Sequence, residues 1–212
     1  VVKELLENSI DAKAKEIKIL IKDAGKTMIQ VIDNGVGMSK RDVSICFNRH
    51  TTSKISDAKD LFNIKSKGFR GEALSSIAAV SHLEIITKRR ADNFGYKLKI
   101  KAGKVHSNEK VVSEVGTSVL VKNLFYNVPA RINFLKSDSV ELRHIINEIQ
   151  RISIAHCDLN ISLNHNKSEI FSLSKSTIHL RIKNIFGRKI EENLIPISEK
   201  TSFVKISGYI IK

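Results

Sequence analysis

Residues 16–33 read EIKILIKDAGKTMIQVID, two apolar-alternating runs joined by a polar turn. Ile17, Ile19 and Ile21 recur at every second position, the period of a strand with one buried face. DAGK supplies the turn and MIQVID the returning strand, so the segment is predicted to be a β-hairpin. A sheet face this apolar needs a covering layer. The chain offers one immediately upstream: Val1 to about Ala14 is predicted helical, with Val2, Leu5, Leu6, Ile10 and Ala12 gathered on one side.

The same alternation returns later. LEIITK, GYKLKI, KVHS and TSVLVKNL read as a meander of strands, and DLNISLNHN with SEIFSLS as a second hairpin. Helical spacing marks Glu72 to Val80, and Ser139 to Ala155 through Leu142, Ile145, Ile146, Ile149 and Ile152. Short helical pieces are expected near Arg41 to Phe47 and Ala58 to Phe62, inside a long polar stretch from Ser39 to Lys67. FYNVPARINFL reads as a loop. After Ser176, IHLRIKNIFGRKI is helical in pattern and FVKISGYII is a strand. Helices segregated from a mostly antiparallel sheet predict an α+β fold, a two-layer α/β sandwich.

With 212 residues the chain can bury a sizeable core. No apolar run approaches the roughly 20 residues that span a bilayer, so no membrane partner is expected. The start shows no signal-peptide pattern. Cys46 and Cys157 stand alone without metal-ligand spacing and read as reduced thiols. A net charge of +14 fits a polyanionic partner such as DNA. A low-GC genome, rich in Lys, Ile and Asn codons, produces the same excess, so the charge supports such a partner without establishing one. The chain opens on Val1 in mid-helical pattern with no cap, which predicts an internal fragment of a longer protein.

Three clusters carry candidate chemistry. Glu4, Asn8 and Asp11 fall at i, i+4 and i+7, a polar stripe opposite the apolar side of the first helix. Alone, that stripe reads as a solvated face. Asp33 ends an apolar strand and runs directly into NGVG. A carboxylate there can accept a hydrogen bond from an exocyclic amine such as that of adenine, and Gly35 and Gly37 would let a flat base approach the backbone. Alone, that segment reads as an ordinary Asn-Gly turn. The third is KGFRGEAL, where Gly68 and Gly71 bracket Phe69 and Arg70 before a helix begins at Glu72. Free N–H groups at a helix start attract anions, and the flanking glycines would let the backbone wrap a polyphosphate. Arg70 would bind phosphate or brace the loop. AGKT at Ala24 to Thr27 mimics the end of a P-loop, but the glycine that motif needs upstream falls at Leu20, inside a strand.

KELLENSIDA, DNGVGM, RHTTSKI, GFRGEAL, VGTSV and LFYNVPARINFL together resemble the MutL family of DNA mismatch repair proteins. These are GHKL ATPases, the superfamily of the DNA gyrase B subunit, the large heat-shock chaperone and histidine kinases. The resemblance covers nearly the whole chain and is weakest after Ser168. It implies a GHKL (Bergerat) ATPase domain over 1–176 and the start of a second, transducer domain over 177–212. It also implies ATP and Mg²⁺ as cofactors. Glu4 would be the general base and Asn8 the oxygen ligand of Mg²⁺. Asp33 would hold the adenine amine, with Thr117 beside it. Thr52, Ser53 and Lys54 would sit in a lid, and Gly68, Phe69, Arg70 and Gly71 around the triphosphate. The implied role is an ATP-driven, slowly hydrolysing switch that couples mismatch recognition by a MutS-type protein to a strand-incision endonuclease through N-terminal homodimerisation. Its place would be the bacterial cytoplasm, or the nucleus if the source is eukaryotic. The family's N-terminal arm and its γ-phosphate-sensing lysine are not in this sequence, which implies weak turnover. A nucleotide-gated DNA clamp without useful hydrolysis, or a topoisomerase- or chaperone-type ATPase, would share the superfamily motifs.

Overall fold

The computed structural model describes residues 1–48 and 71–212. The opening helix α1 spans Val2–Asp11 and buries Val2, Leu5, Leu6 and Ser9. It stops before Ala14 because Lys13 turns left-handed (φ 61°). Ala12, expected on the helix's apolar side, instead lies beyond its end, where its carbonyl accepts the Val36 N–H at 2.9 Å.

The predicted hairpin is β1 (Glu16–Lys22) and β2 (Met28–Asp33), paired antiparallel with Ile17 opposite Asp33. Next come α2 (Lys40–Ile45) and α3 (Ala73–Ala79), then strands β3 (His82–Lys88), β4 (Gly95–Lys101), β5 (Lys104–Val111) and β6 (Gly116–Lys122). A reciprocal cap between Ser39 and Asp42 starts α2. The expected helix at Ala58 to Phe62 lies outside the described residues. FYNVPARINFL is not all loop: Pro129 opens a one-turn helix, α4 (Pro129–Ile132), where its missing N–H costs nothing. The long helix α5 (Asp138–Ala155) leads to the second hairpin, β7 (Asn160–His165) and β8 (Ser168–Leu173).

These eight strands form one sheet in the order β5-β4-β3-β6-β2-β1-β7-β8, antiparallel except for the parallel pair β1–β7. Ile17, Ile19, Ile29, Val31, Leu83, Ile85, Leu98, Val121, Ile161 and Leu163 point from one face into a single core with Leu5, Leu6, Ile149 and Ile152 of the helices. This is the α+β sandwich that the pattern predicts.

The terminal segment holds α6 (Ile178–Phe186), α7 (Arg188–Glu191) and an antiparallel pair, β9 (Leu194–Lys200) and β10 (Lys205–Ile211). One helical run was expected here, but Gly187 (φ 86°) splits it into two. β9 was not expected. Pro196 disguises it, since proline is tolerated in a strand only where no ladder partner needs its N–H, and among the described residues β9 pairs on one side only. Arg181 of α6 is fully buried and donates through Nη2 to the carbonyls of Cys157 (3.0 Å), Leu159 (2.7 Å) and Ser174 (3.0 Å). It pins α6 to the end of α5 and the rim of the β7–β8 hairpin.

Candidate functional site: a buried carboxylate between a helix and a glycine turn

Asp33 is the last residue of β2, buried beneath α1. Its Oδ2 accepts the Ser9 hydroxyl at 2.8 Å and its Oδ1 accepts the Gly35 N–H at 2.9 Å. Burial pushes the carboxyl's pKa up, against the pull of the Gly35 N–H, Ser9 and the Thr117 N–H. Ser9 and Gly35 take two of the carboxylate's about four lone-pair positions, one on each oxygen, which leaves acceptor capacity for a ligand amine.

Thr117 of β6 stands opposite Asp33 in the ladder, and Thr87 of β3 stands opposite Thr117 on its other side. The two threonine hydroxyls lie 3.0 Å apart, and Thr87 Oγ1 also accepts the Met38 N–H at 2.9 Å. The turn after β2 is thereby tied to the sheet.

Packing requires the glycines here. A Cβ on Gly35 would stand 2.7 Å from the Ala12 carbonyl oxygen, and one on Gly37 (φ 70°) 2.1 Å from that of Lys88. Gly116 (φ 126°) would collide with the backbone of Asp33 at 2.0 Å. The NGVG turn is therefore clamped between the end of α1 and the end of β3, with no room for a side chain at Gly35 or Gly37. Asn34 adds a further tie: its Oδ1 accepts the N–H groups of Lys15 (2.8 Å) and Glu16 (3.0 Å).

Glu4 and Asn8 are both half-buried on α1, one turn or about 6 Å of rise apart. Asn8 directly precedes Ser9, so the helix that carries the expected base and metal ligand is bonded through its own serine to the expected adenine-binding carboxylate. Among the described residues no three His, Cys, Asp or Glu side chains gather as a metal site. One amide oxygen is a donor set suited to Mg²⁺ that takes its remaining ligands from phosphates and water. Gly71 (φ 65°) precedes α3, whose N-cap Glu72 makes no side-chain cap to the first turn. Thr52, Ser53, Lys54, Gly68, Phe69 and Arg70 lie outside the described residues.

Two contributors had escaped the sequence reading. Ser9 follows Val2, Leu5 and Leu6 at i+7, i+4 and i+3, a hydroxyl inside an apolar stripe. Thr87 continues the buried parity of Leu83 and Ile85. A polar residue at a core position was the available signal in both cases.

The model of the histidine kinase-, DNA gyrase B- and HSP90-like ATPases matches residues 1–125, and the chain belongs to that family. Within it, the likeness runs to DNA mismatch repair protein MutL. The chain is 55% identical over its 212 residues to MutL of Christiangramia forsetii, covering all of this chain and 34% of that protein. It is also 55% identical to MutL of Flavobacterium psychrophilum, covering 35% of it. It thus spans about a third of the length of these curated relatives. Among solved structures, the N-terminal domain of a DNA repair protein superposes with a TM-score of 0.80 at 29% identity, covering 98% of this chain and 65% of that one. The Aquifex aeolicus MutL ATPase domain complexed with ADP gives 0.75 at 28% identity, covering 93% and 70%.

Proposed function

We propose that this chain is the ATP-binding, slowly hydrolysing part of a mismatch repair switch. The observation that carries the reading is Asp33: a buried, raised carboxylate held by Ser9 and the Gly35 N–H at the end of a strand, beside a turn in which Gly35 and Gly37 leave no room for a side chain. That arrangement suits the exocyclic amine of adenine, with Thr117 alongside. Relatives named MutL and a neighbour complexed with ADP support it.

Glu4 takes a proton from the attacking water as its oxygen closes in line on the γ-phosphorus, and ADP leaves. Asn8 would hold Mg²⁺, which supplies charge neutralisation on the phosphates. Gly35 and Gly37 flank the base. Thr52, Ser53 and Lys54 serve as lid, and Gly68, Phe69, Arg70 and Gly71 surround the triphosphate. Residues 1–176 form the ATPase domain and 177–212 begin the transducer. In the whole protein, nucleotide binding favours an N-terminal homodimer and relays mismatch recognition by a MutS-type partner to a strand-incision endonuclease on DNA, in the bacterial cytoplasm.

Calorimetric binding of a non-hydrolysable ATP analogue, with and without Mg²⁺, tests the pocket. Glu4→Ala is expected to keep nucleotide binding and lose about 10²- to 10⁴-fold in hydrolysis. Loss of binding as well, in a folded variant, removes Glu4 as the base. Nucleotide binding by the parent with no measurable hydrolysis would instead favour the second reading, a nucleotide-gated DNA clamp. Asp33→Asn is expected to weaken adenine nucleotides, and unchanged affinity sinks its assigned role.

A further inference from the structure

Strand pairing sets three polar side chains in a row across the sheet: Asp33 on β2, Thr117 on β6 and Thr87 on β3. Residues directly opposite each other in a sheet share a face, and here it is the face that packs on the helices. Thr117 keeps partial exposure, whereas Thr87 behind it is 1% exposed. A residue that deep does not touch a ligand. It can still decide what Thr117 offers to one, because its own hydroxyl lies between Thr117 and three backbone and side-chain partners.

A hydroxyl carries a single hydrogen and a pair of acceptor positions. Thr87 Oγ1 donates its hydrogen to the Gly116 carbonyl at 3.0 Å and accepts the Met38 N–H at 2.9 Å. A single acceptor position remains, and the Thr117 hydroxyl stands 3.0 Å away. Thr117 is therefore the donor of that pair, and every position on Thr87 is filled. The reverse arrangement, with Thr87 donating to Thr117, takes the hydrogen from the Gly116 carbonyl and leaves an acceptor position of Thr87 empty where water has no access. Loss of one such hydrogen bond favours the first arrangement by about 5- to 10-fold. The Thr117 hydrogen thus points back into the protein, and its lone pairs are left facing outward beside the Asp33 carboxylate.

We propose that Thr87 is a positioning residue for base specificity: by holding the Thr117 hydrogen it turns Asp33 and Thr117 into a pair of acceptors, which takes a 6-amino purine and rejects a 6-oxo purine. With Asp33 read as the adenine acceptor, on which this rests, the exocyclic amine has one N–H for the carboxylate and one for the hydroxyl oxygen. Hypoxanthine and guanine present a carbonyl oxygen at the same place, so lone pairs meet lone pairs. A carboxylate repels that oxygen already. A hydroxyl free to rotate beside it would swing its hydrogen onto the carbonyl and relieve the repulsion. Thr87 closes that route, and discrimination gains from a repulsion kept as well as from a contact made.

Calorimetric titration of this chain with ADP and with inosine diphosphate, each with Mg²⁺, tests the assignment. The two ligands differ only in the amino or oxo group and the protonation of the adjoining ring nitrogen. The parent is expected to prefer ADP at least about 100-fold. Thr87→Val keeps the side chain's shape but also deprives the Met38 N–H of its acceptor, so both affinities fall and the readout is their ratio. That ratio is expected to drop about 10-fold in Thr87→Val. It should hold at the parent value in Thr87→Ser, which restores the hydroxyl. It should hold too in Ser118→Ala, whose hydroxyl accepts from Gln30 on the other face of the same strand. Melting curves check folding. Where Thr87→Val does not fold, Thr117→Val decides: it is expected to weaken ADP and leave inosine diphosphate unchanged. A parent ratio retained in Thr87→Val, or equal losses for both ligands in Thr117→Val, overturns the proposal and leaves Thr87 as a tie for the turn. A parent that does not discriminate is a different failure: it removes Asp33 as the amine acceptor, and the role of Thr87 falls with it.

Discussion

The two faces of the eight-stranded sheet are built from the same strands and obey opposite rules. On the covered face the polar groups are few and partnered: Asp33 accepts from Ser9 and the Gly35 N–H, and Thr87 bridges Gly116, Thr117 and Met38. On the open face Lys97 pairs with Glu84, and among the described residues His82 Nε2 has no hydrogen-bond partner. Burial disciplines the first face, because a polar group without a partner there costs about 1–3 kcal/mol. Water relaxes the second, so charge can be arranged by function rather than by folding.

The comparison breaks most easily at its apolar contrast. Ile85 is fully buried on β3, and Leu120 sits half-buried on the open face of β6. Ile85→Ala is expected to cost about 2–5 kcal/mol by urea denaturation, and Leu120→Ala well under half of that. Equal losses would mean that something covers the open face. A smaller effect is expected at Ser9. Ser9→Ala removes a donor to a buried carboxylate, at about 1.5–3 kcal/mol. The same change frees an acceptor position on Asp33, so nucleotide affinity should fall less than stability does. An affinity loss larger than the stability loss would place Ser9 itself in contact with ligand.

Much of the covered face was legible because its information is local. Alternation at Ile17, Ile19 and Ile21 and the break at NGVG fixed β1, β2 and the position of Asp33 within a residue. The glycines were legible as a requirement but not as a cause. Gly37 is needed where the turn meets the end of β3, a contact with Lys88 that lies 51 positions along the chain and that only tertiary structure reveals. Ser9 hid as a helix filler. Arg181 hid because an arginine on an amphipathic helix ordinarily faces water, and here its Nη2 is used to tie three carbonyls. Least legible of all was the row of Lys101, His82 and Lys122 on the open face. They are neighbours only because β3 lies between β4 and β6, and that order is a property of the sheet.

The smallest effect, and the sharpest test of the contrast, is the pH dependence of two titrating groups, buried Asp33 and half-buried His82. Burial disfavours the charged form on both faces, with opposite consequences. Asp33 has a folded pKa above its unfolded value, so between the two the folded state holds more protons than the unfolded one. Its charge penalty is therefore present at neutral pH and is relieved as pH falls toward the carboxylate range. His82 has a folded pKa below its unfolded value, so the folded state holds fewer protons. Its contribution to stability is lost as pH falls from the ordinary histidine value of 6.5 toward the depressed one. The groups that set this depression face His82 from three strands: Lys101 on β4, His106 on β5 and Lys122 on β6, with Glu84 two positions along β3. His82→Gln should thus lose less stability than the parent between pH 7.5 and pH 5, read as the shift in urea midpoint. A parent and variant that lose stability in parallel would show that the lysines beside His82 are too well solvated to act on it. The open face would then be an ordinary hydrated surface, and the distinction between the two faces would reduce to burial alone.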